Sequence, residues 1–355
     1  MKSSALKNIK IAVQHGLSLI ELMISITIGL LILAALSTLF VNQSRTRTEL
    51  DKSNRMIDNG RYALELLTDN LKLAGYYGEF VPSPGVPAIP AALTDPCSTN
   101  QVVIRTALQL AIQGVEAAKD ATPAFSDLCA AVATAAGDTL RSGSDILVIR
   151  RVSTAAPITV AVATAAATAG TTLYLQVSLC QFDVAPYVLD RVIANFTLRN
   201  TVLNIGCNAG SVALADLRPF MTQVYFVSRH NNNNPADSIP TLKRMDLDPA
   251  TNTFVITPLV EGIEYMQLDY GLDTTVPADG VADNYIQAPA ATDWPNIVAV
   301  KVNILARNTE STTGYTDTKT YDLGLTGSVT PGGAFKRHAY TQLIRLNNPA
   351  GRRDR

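Results

Sequence analysis

The feature that most constrains this chain is the run from Gly16 to Val41, GLSLIELMISITIGLLILAALSTLFV. It is an apolar run of about 25 residues, long enough to cross a bilayer as a helix. One carboxylate, Glu21, interrupts the run near its start. A charge inside a spanning helix costs roughly 2.5–3.5 kcal/mol on insertion scales, so a carboxylate kept there implies a purpose. Lys2, Lys7 and Lys10 precede the run. By the positive-inside rule they hold the amino end in the cytoplasm and place everything after Val41 across the membrane. An ordinary secretory signal is discarded together with its short apolar core. Here the glycine comes before the run, so a cut beside it leaves the anchor on the protein.

Gly16 followed by Leu-Ser-Leu-Ile-Glu-Leu-Met-Ile resembles the class III signal of type IV prepilins and type II secretion pseudopilins. In those proteins an integral-membrane aspartic peptidase cuts after the glycine and methylates the new amino terminus. The resemblance implies cleavage between Gly16 and Leu17, N-methylation of Leu17, and an intersubunit contact by Glu21, the fifth residue of the mature chain. The usual first mature residue is Phe, and Leu17 stands in its place.

Beyond Asn42 the helical period continues. Leu50, Ile57, Leu64 and Leu71 recur every seven residues, with Leu67 and Ala74 between them. They form one apolar stripe, predicted to pack on a carboxyl-terminal domain. Gly60 sits inside the pattern and Gly75 ends it. The stretch NGRYALELLTDNLKLAGYYGEF, Asn59 to Phe80, resembles a segment of PilW-type minor pilins, matching at Arg61, Ala74, Gly75, Tyr76 and Gly78. Pro82, Pro84, Pro87, Pro90 and Pro96 then predict an extended connector. Leu108 to Lys119 reads as helical.

Strand patterns begin at Ser144–Val152 and recur at Thr172–Val177, Val188–Ile193, Gln223–Ser228, Thr241–Leu247 and Phe254–Thr257. A further strand faces Met266, Leu268 and Tyr270 inward. Ile297–Asn308 alternates like a half-buried antiparallel strand, and Tyr340–Asn348 makes the last one. The series Leu259-x-Glu-Gly-Ile-Glu, Tyr270-Gly-x-Asp, Trp294-Pro and Val300-x-Val is similar to PilW proteins and to minor pseudopilin J of type II secretion. The expected organisation is a leader (1–16), a transmembrane helix (17–41), its amphipathic continuation (42–75), a Pro/Ala-rich excursion (76–142), a periplasmic β domain (143–348) and a disordered tail (349–355). This is a pilin-like α+β fold: a long amino-terminal helix on an antiparallel sheet domain.

The far side of the membrane oxidises thiols. The four cysteines, Cys97, Cys129, Cys180 and Cys207, contain no C-x-x-C pair and read as two disulfides. Three connectivities are open. The local one, Cys97–Cys129 with Cys180–Cys207, is favoured, each loop contributing roughly 3–4 kcal/mol in the chain-entropy model.

A net charge of −1, from 29 basic and 30 acidic residues, gives no basic excess for nucleic acid. His15, His230 and His338 lie far apart in sequence, and no H-E-x-x-H, P-loop or G-x-S-x-G pattern occurs. Neither catalysis nor a cofactor is expected. Asp269, Asp273, Asp279 and Asp283 could offer oxygen to calcium, but they do not follow the EF-hand spacing, and a solvated acidic loop is the simpler reading. The resemblance implies a non-enzymatic minor pilin that helps initiate assembly of a type IV pilus at or near its tip. Its partners would be other minor pilins, the major pilin, the prepilin peptidase and the bacterial inner membrane. A minor pseudopilin of a type II secretion system and a tip adhesin are the alternatives.

Overall fold

A computed structural model describes residues 18–82, 88–118, 121–122, 129–130, 132–133, 137–166, 170–180, 182–200, 207, 213–232, 237–249 and 251–354. The chain divides into two compact units, 1–51 and 52–355. Helix α1, Leu19–Lys72, begins in the first and ends in the second. Its residues in the first unit are almost all exposed.

The second unit is built on antiparallel sheets. The first sheet has seven strands: β1 (Ile112–Val115), β2 (Ile146–Val152), β3 (Tyr174–Val177), β4 (Tyr187–Asp190), β5 (Leu217–Ser228), β6 (Thr241–Asp248) and β7 (Thr253–Glu261). Its long central strand, β5, pairs with β2, β3 and β6. The second sheet draws on β8 (Ile263–Leu272), β9 (Asn284–Ile286) and β10 (Ile297–Arg307). A two-stranded ribbon, β11 (Tyr321–Asp322) with β12 (Ser328–Val329), precedes β13 (Arg337–Arg345), which completes the second sheet in the order β13-β10-β8-β9.

One apolar core joins the sheets to the helix. Ala63, Leu64, Leu67 and Leu71 of α1 meet Leu147, Ile149 and Tyr225 of the first sheet and Met266, Leu268, Val300, Val302 and Ile304 of the second. The buried stripe includes Met56 and Gly60, whereas Leu50 is exposed and Ile57 half-buried. The heptad reading is thus right from Leu64 onward and begins too early. Gly60 has a packing reason rather than a bend: the Tyr340 ring of β13 lies where a Cβ would be, and its hydroxyl donates to the Ile57 carbonyl at 3.2 Å.

Three expectations are corrected. Leu108–Lys119 is not a helix: a helical turn, Gln101–Thr106, comes earlier, and 112–115 is β1, paired with β2. The Pro/Ala-rich excursion therefore contributes an edge strand to the sheet. Ile297–Arg307 is not half-buried: Asn303 and Leu305 on its second face are also buried, because Tyr321, Leu323 and Val329 fold over it. The carboxyl terminus is not a disordered tail. Asn347–Arg353 is helical, with Pro349 and Ala350 buried, and Arg353 pairs with Asp273 at 2.9 Å.

The chain changes sheets at Gly262, between β7 and β8. Its φ is +77°, and an added Cβ would lie 2.7 Å from the Arg307 carbonyl oxygen. Its own N–H donates to Pro240 O at 2.7 Å, and its carbonyl accepts the Arg307 N–H at 2.8 Å. A side chain would oppose both the backbone angle and the packing. Gly262→Ala should lose roughly 1–3 kcal/mol or more in urea unfolding of the detergent-solubilised protein. An unchanged midpoint would show that the sheet switch tolerates a side chain.

Candidate functional site

From Ser18 to Val41 every residue is exposed apart from half-buried Gly29. The run is the one stretch, among the described residues, long and apolar enough to cross a membrane. Its polar residues are largely satisfied within the helix. Ser25 Oγ donates to Glu21 O at 2.7 Å, Thr27 Oγ1 to Met23 O at 2.5 Å and Thr38 Oγ1 to Ala34 O at 2.8 Å. Such back-bonding leaves these hydroxyls satisfied without water, as hydrocarbon requires. Glu21 Oε2 accepts the Ser18 N–H at 3.0 Å, so the carboxylate caps its own helix at the positive end of the dipole. Gly16 and Leu17, the expected cleavage and methylation positions, lie outside the described residues.

Cys97 joins Cys129 with Cα atoms 5.1 Å apart, and Cys180 joins Cys207 at 5.4 Å. The first bridge is buried against Ile146, Val148, Val224 and Phe226, so it is part of the domain core.

The four aspartates considered for calcium have separate tasks. Asp269 is buried in β8 and accepts from the Leu325 N–H at 3.1 Å and Asn303 Nδ2 at 3.3 Å. Asp273 takes Arg353 and the Gly280 N–H, both at 2.9 Å. Asp279 accepts the Val281 N–H at 2.9 Å. Asp283 caps the loop at Thr274 N, 2.6 Å, and Thr275 N, 3.0 Å. These donors hold the Asp273 and Asp283 carboxyls below the usual range, against the opposing pull of burial. The other described histidines are occupied as well: His338 meets Tyr340 edge-on with ring centroids 4.6 Å apart, and the His230 ring meets the Asp237 carbonyl.

Sequence reasoning missed two buried polar assemblies. The first lies just ahead of β2, where Ser144 and Asp145 run against β8. Asp145 N–H donates to Met266 O at 2.8 Å; Asp145 Oδ2 accepts the Leu268 N–H at 2.9 Å, and Oδ1 the Ala117 N–H at 2.8 Å. One carboxyl thus fastens the start of β2 to β8. Burial, then the nearby Glu116 carboxylate, push the Asp145 pKa up to about 8. Glu116 is raised for the same reasons, burial first and then the Asp269 charge, and it hydrogen-bonds to Asp145.

The second assembly centres on Glu264 of β8, which is 2% exposed. Its Oε2 accepts Arg337 Nε at 2.5 Å, its Oε1 accepts Arg141 Nη2 at 2.9 Å, and Arg307 Nη1 stands 3.8 Å away. Arg337 also reaches Asp317 at 2.8 Å. Burial pulls the Arg337 pKa down, but Glu264 and Asp317 outweigh it and the net shift is upward. The signature residues quoted above are thereby accounted for. Gly262 turns the chain, Glu264 anchors three arginines, Tyr270 meets Trp294 edge-on at 4.8 Å, and Asp273 ties down the terminal helix. Polar side chains on the face of β8 and β10 opposite Met266, Leu268 and Tyr270 were the available signal: Gln267, Asp269, Asn303 and Arg307 are all buried, while Glu264 lies at the register irregularity of the β8–β10 ladder, where alternation breaks.

The family model described as "Type IV Pilus-assembly protein W" matches residues 224–348, and that described as "Prokaryotic N-terminal methylation motif" matches residues 11–37. No curated protein and no solved structure matches the chain. The first match spans the end of β5 through β13, where Glu264 and its arginine partners Arg307 and Arg337 lie; the second spans the start of the apolar helix. Together they support a PilW-family prepilin.

The raised Asp145 pKa makes stability depend on pH. The folded Asp145 value, about 8, lies above its ordinary 3.8, so the folded state binds this proton more tightly than the unfolded state. That contribution is complete below the ordinary value and is lost as pH rises through the folded one. The Tm should therefore fall between pH 5 and about pH 8. Glu116→Gln removes the charge that helps raise Asp145 and should make the fall shallower. Identical pH slopes in thermal melts of variant and wild type would assign the dependence elsewhere.

Proposed function

We propose that this PilW-family prepilin is a minor pilin that helps to initiate assembly of a type IV pilus and sits close to, but below, its extreme tip. One observation carries the reading: a membrane-length apolar helix, exposed apart from half-buried Gly29 and bearing a carboxylate at its start, is continuous with a folded domain whose residues 224–348 match the PilW family model. An exposed apolar helix needs either lipid or other apolar helices around it. A filament supplies the second once the subunit leaves the first. The domain's polar assemblies are engaged in joining strands, which fits a structural component better than an enzyme.

The finer placement rests on Glu21. After a cut at Gly16, the new Leu17 amine would lie about 6 Å along the helix axis from Glu21. Both charges are unfavourable in hydrocarbon unless paired. The Ser18 N–H bond engages one carboxylate oxygen. The other is free to meet the amine of a neighbouring subunit shifted along the bundle. A subunit at the outermost position would have no such neighbour above it, and this chain keeps the carboxylate. The inner-membrane orientation follows from the lysine leader, with the domain in the periplasm before assembly.

Two substitutions test the reading. Gly16→Glu should leave an uncut precursor, about 16 residues longer on an immunoblot, because the peptidase site would accept only a hydrogen side chain. Glu21→Ala should be inserted and cut normally, yet fail to cross-link to co-expressed minor pilins. Normal processing of the first, or unchanged cross-linking and piliation in the second, would overturn the corresponding role.

A further inference from the structure

β13 is the outer strand of the second sheet. It pairs with β10 along nine residues and, among the described residues, with nothing on its other side. Leu346 N–H donates to Val298 O at 2.8 Å at one end of this ladder, and Asn308 N–H to Lys336 O at 3.0 Å at the other. Antiparallel alternation then commits His338, Tyr340, Gln342 and Ile344 to β10. The N–H and C=O groups of Ala339, Thr341 and Leu343 are left pointing outward.

Other edges are blunted and this one is not. β7 has the same length but carries Pro258, and its pairing with β6 shifts register between Leu242 and Lys243. β1 and β4 have four residues each and β9 three. β13 has no proline, and its register with β10 is unbroken. A long, unprotected edge is a template for another strand.

Beside this edge, one flank of α1 and Gln342 enclose a groove of about 340 Å³. Thr68 lines it at 6% exposure, and its hydroxyl has no partner. Thr27 and Thr38 of the same helix satisfy theirs on a preceding carbonyl. A buried hydroxyl left unpaired is costly unless something arrives to meet it. Arg61, Glu65, Asp69 and Lys72 order the groove's charges as plus, minus, minus, plus along the helix.

We propose that an extended segment of a different protein chain adds to β13 as a fifth strand of this sheet. Its backbone pairs with Ala339, Thr341 and Leu343, and one polar side chain enters the groove to reach the Thr68 hydroxyl. The exposed groups are backbone donors and acceptors at strand spacing, which another strand matches. The charge order argues against a second copy of this chain. Two copies paired about a two-fold axis would bring the palindromic charge series together with like facing like. The proposal goes beyond the pilin reading and uses it only to say where the partner is sought.

The four native cysteines are paired, so Leu343→Cys in the full-length chain places a single free thiol at the edge. Leu343 is 59% exposed. Maleimide should label this thiol quickly in the purified protein and several-fold more slowly in pilus-producing cells. Leu343→Pro removes an outward N–H and no bond to β10, and Leu343→Lys places a charge on the edge. Both should keep a protease-resistant domain and lose the cross-link that wild type forms with co-expressed pilins. Equal labelling in cells and in purified protein, or cross-links that survive both substitutions, overturn the proposal. Slowed labelling that tracks a concentration-dependent dimer of the purified protein also overturns it, assigning the edge to a second copy. Protection that persists in cells lacking the other pilins supports the edge and counts against the pilin reading. Equal labelling alongside normal piliation does the reverse.

Discussion

The domain depends on one shared core: the stripe of Ala63, Leu64, Leu67 and Leu71 on α1 closes it, and each sheet supplies one wall. Removing one such leucine to Ala typically costs 2–5 kcal/mol, against a total stability of roughly 5–15 kcal/mol for a domain. The helix is therefore a structural member of the domain. The other half of the same helix buries nothing within the protein. One continuous element thus meets two environments, and its sequence changes character accordingly. The first half is apolar on every face, and the second is apolar along a stripe.

The second sheet adds a constraint of a different kind. Both faces of β8 and β10 are covered, and the face away from the main core combines an apolar patch around Leu305 with buried polar groups. Glu264, with Arg141, Arg307 and Arg337 around it, fits only one register. A slip of one residue in β8 would carry Glu264 into the apolar core and strand Arg337 without its carboxylate. Breaking a buried pair in this way costs about 3–5 kcal/mol, although an intact pair adds little net stability over an apolar replacement. The network's effect is to exclude wrong pairings. Asp145 does the same at the start of β2, where its carboxyl accepts one N–H from Ala117, just past β1, and one from Leu268 of β8.

The legible parts of this chain were those with a strong period. Hydropathy located the first half of α1 and the seven-residue stripe its second; strand patterns located β2, β6, β8 and β10, only the second half of β5, and β13 with its end set too late, since Asn347 and Asn348 belong to the terminal helix. Gln101–Thr106 and β1 were missed because the Ala-rich stretch around them carries weak, mixed propensities, and pairing with β2 decides the outcome. The terminal helix was missed because its anchors, Asp273 and the Ala74 carbonyl, are remote in sequence. Polar residues in β8 and β10 were read as solvent-facing because alternation reports only that two faces differ. It does not report whether residues 308–336 will fold back to cover the second face. The main candidate positions, Gly16, Leu17 and Glu21, came from local motif chemistry, whereas the buried assemblies needed three dimensions.

This division bears on what family likeness can say about partners. The residues that carry the PilW resemblance in the second sheet are used internally: Gly262 for a turn, Glu264 for three arginines, Tyr270 against Trp294, Asp273 for Arg353. None of them needs a partner protein to explain its presence. Their pattern is explained by the way this sheet is built, and the amino-terminal motif by the apolar helix that it opens. Partner choice must then lie in groups the scaffold leaves unspent. In the folded unit the outward backbone groups of β13 and the Thr68 hydroxyl beside them, unpaired among the described residues, are such groups, and in the helix the exposed apolar surface is another. Two chains could share the whole internal pattern and still join different neighbours, because changing the edge or the groove disturbs no bond that holds the sheet together.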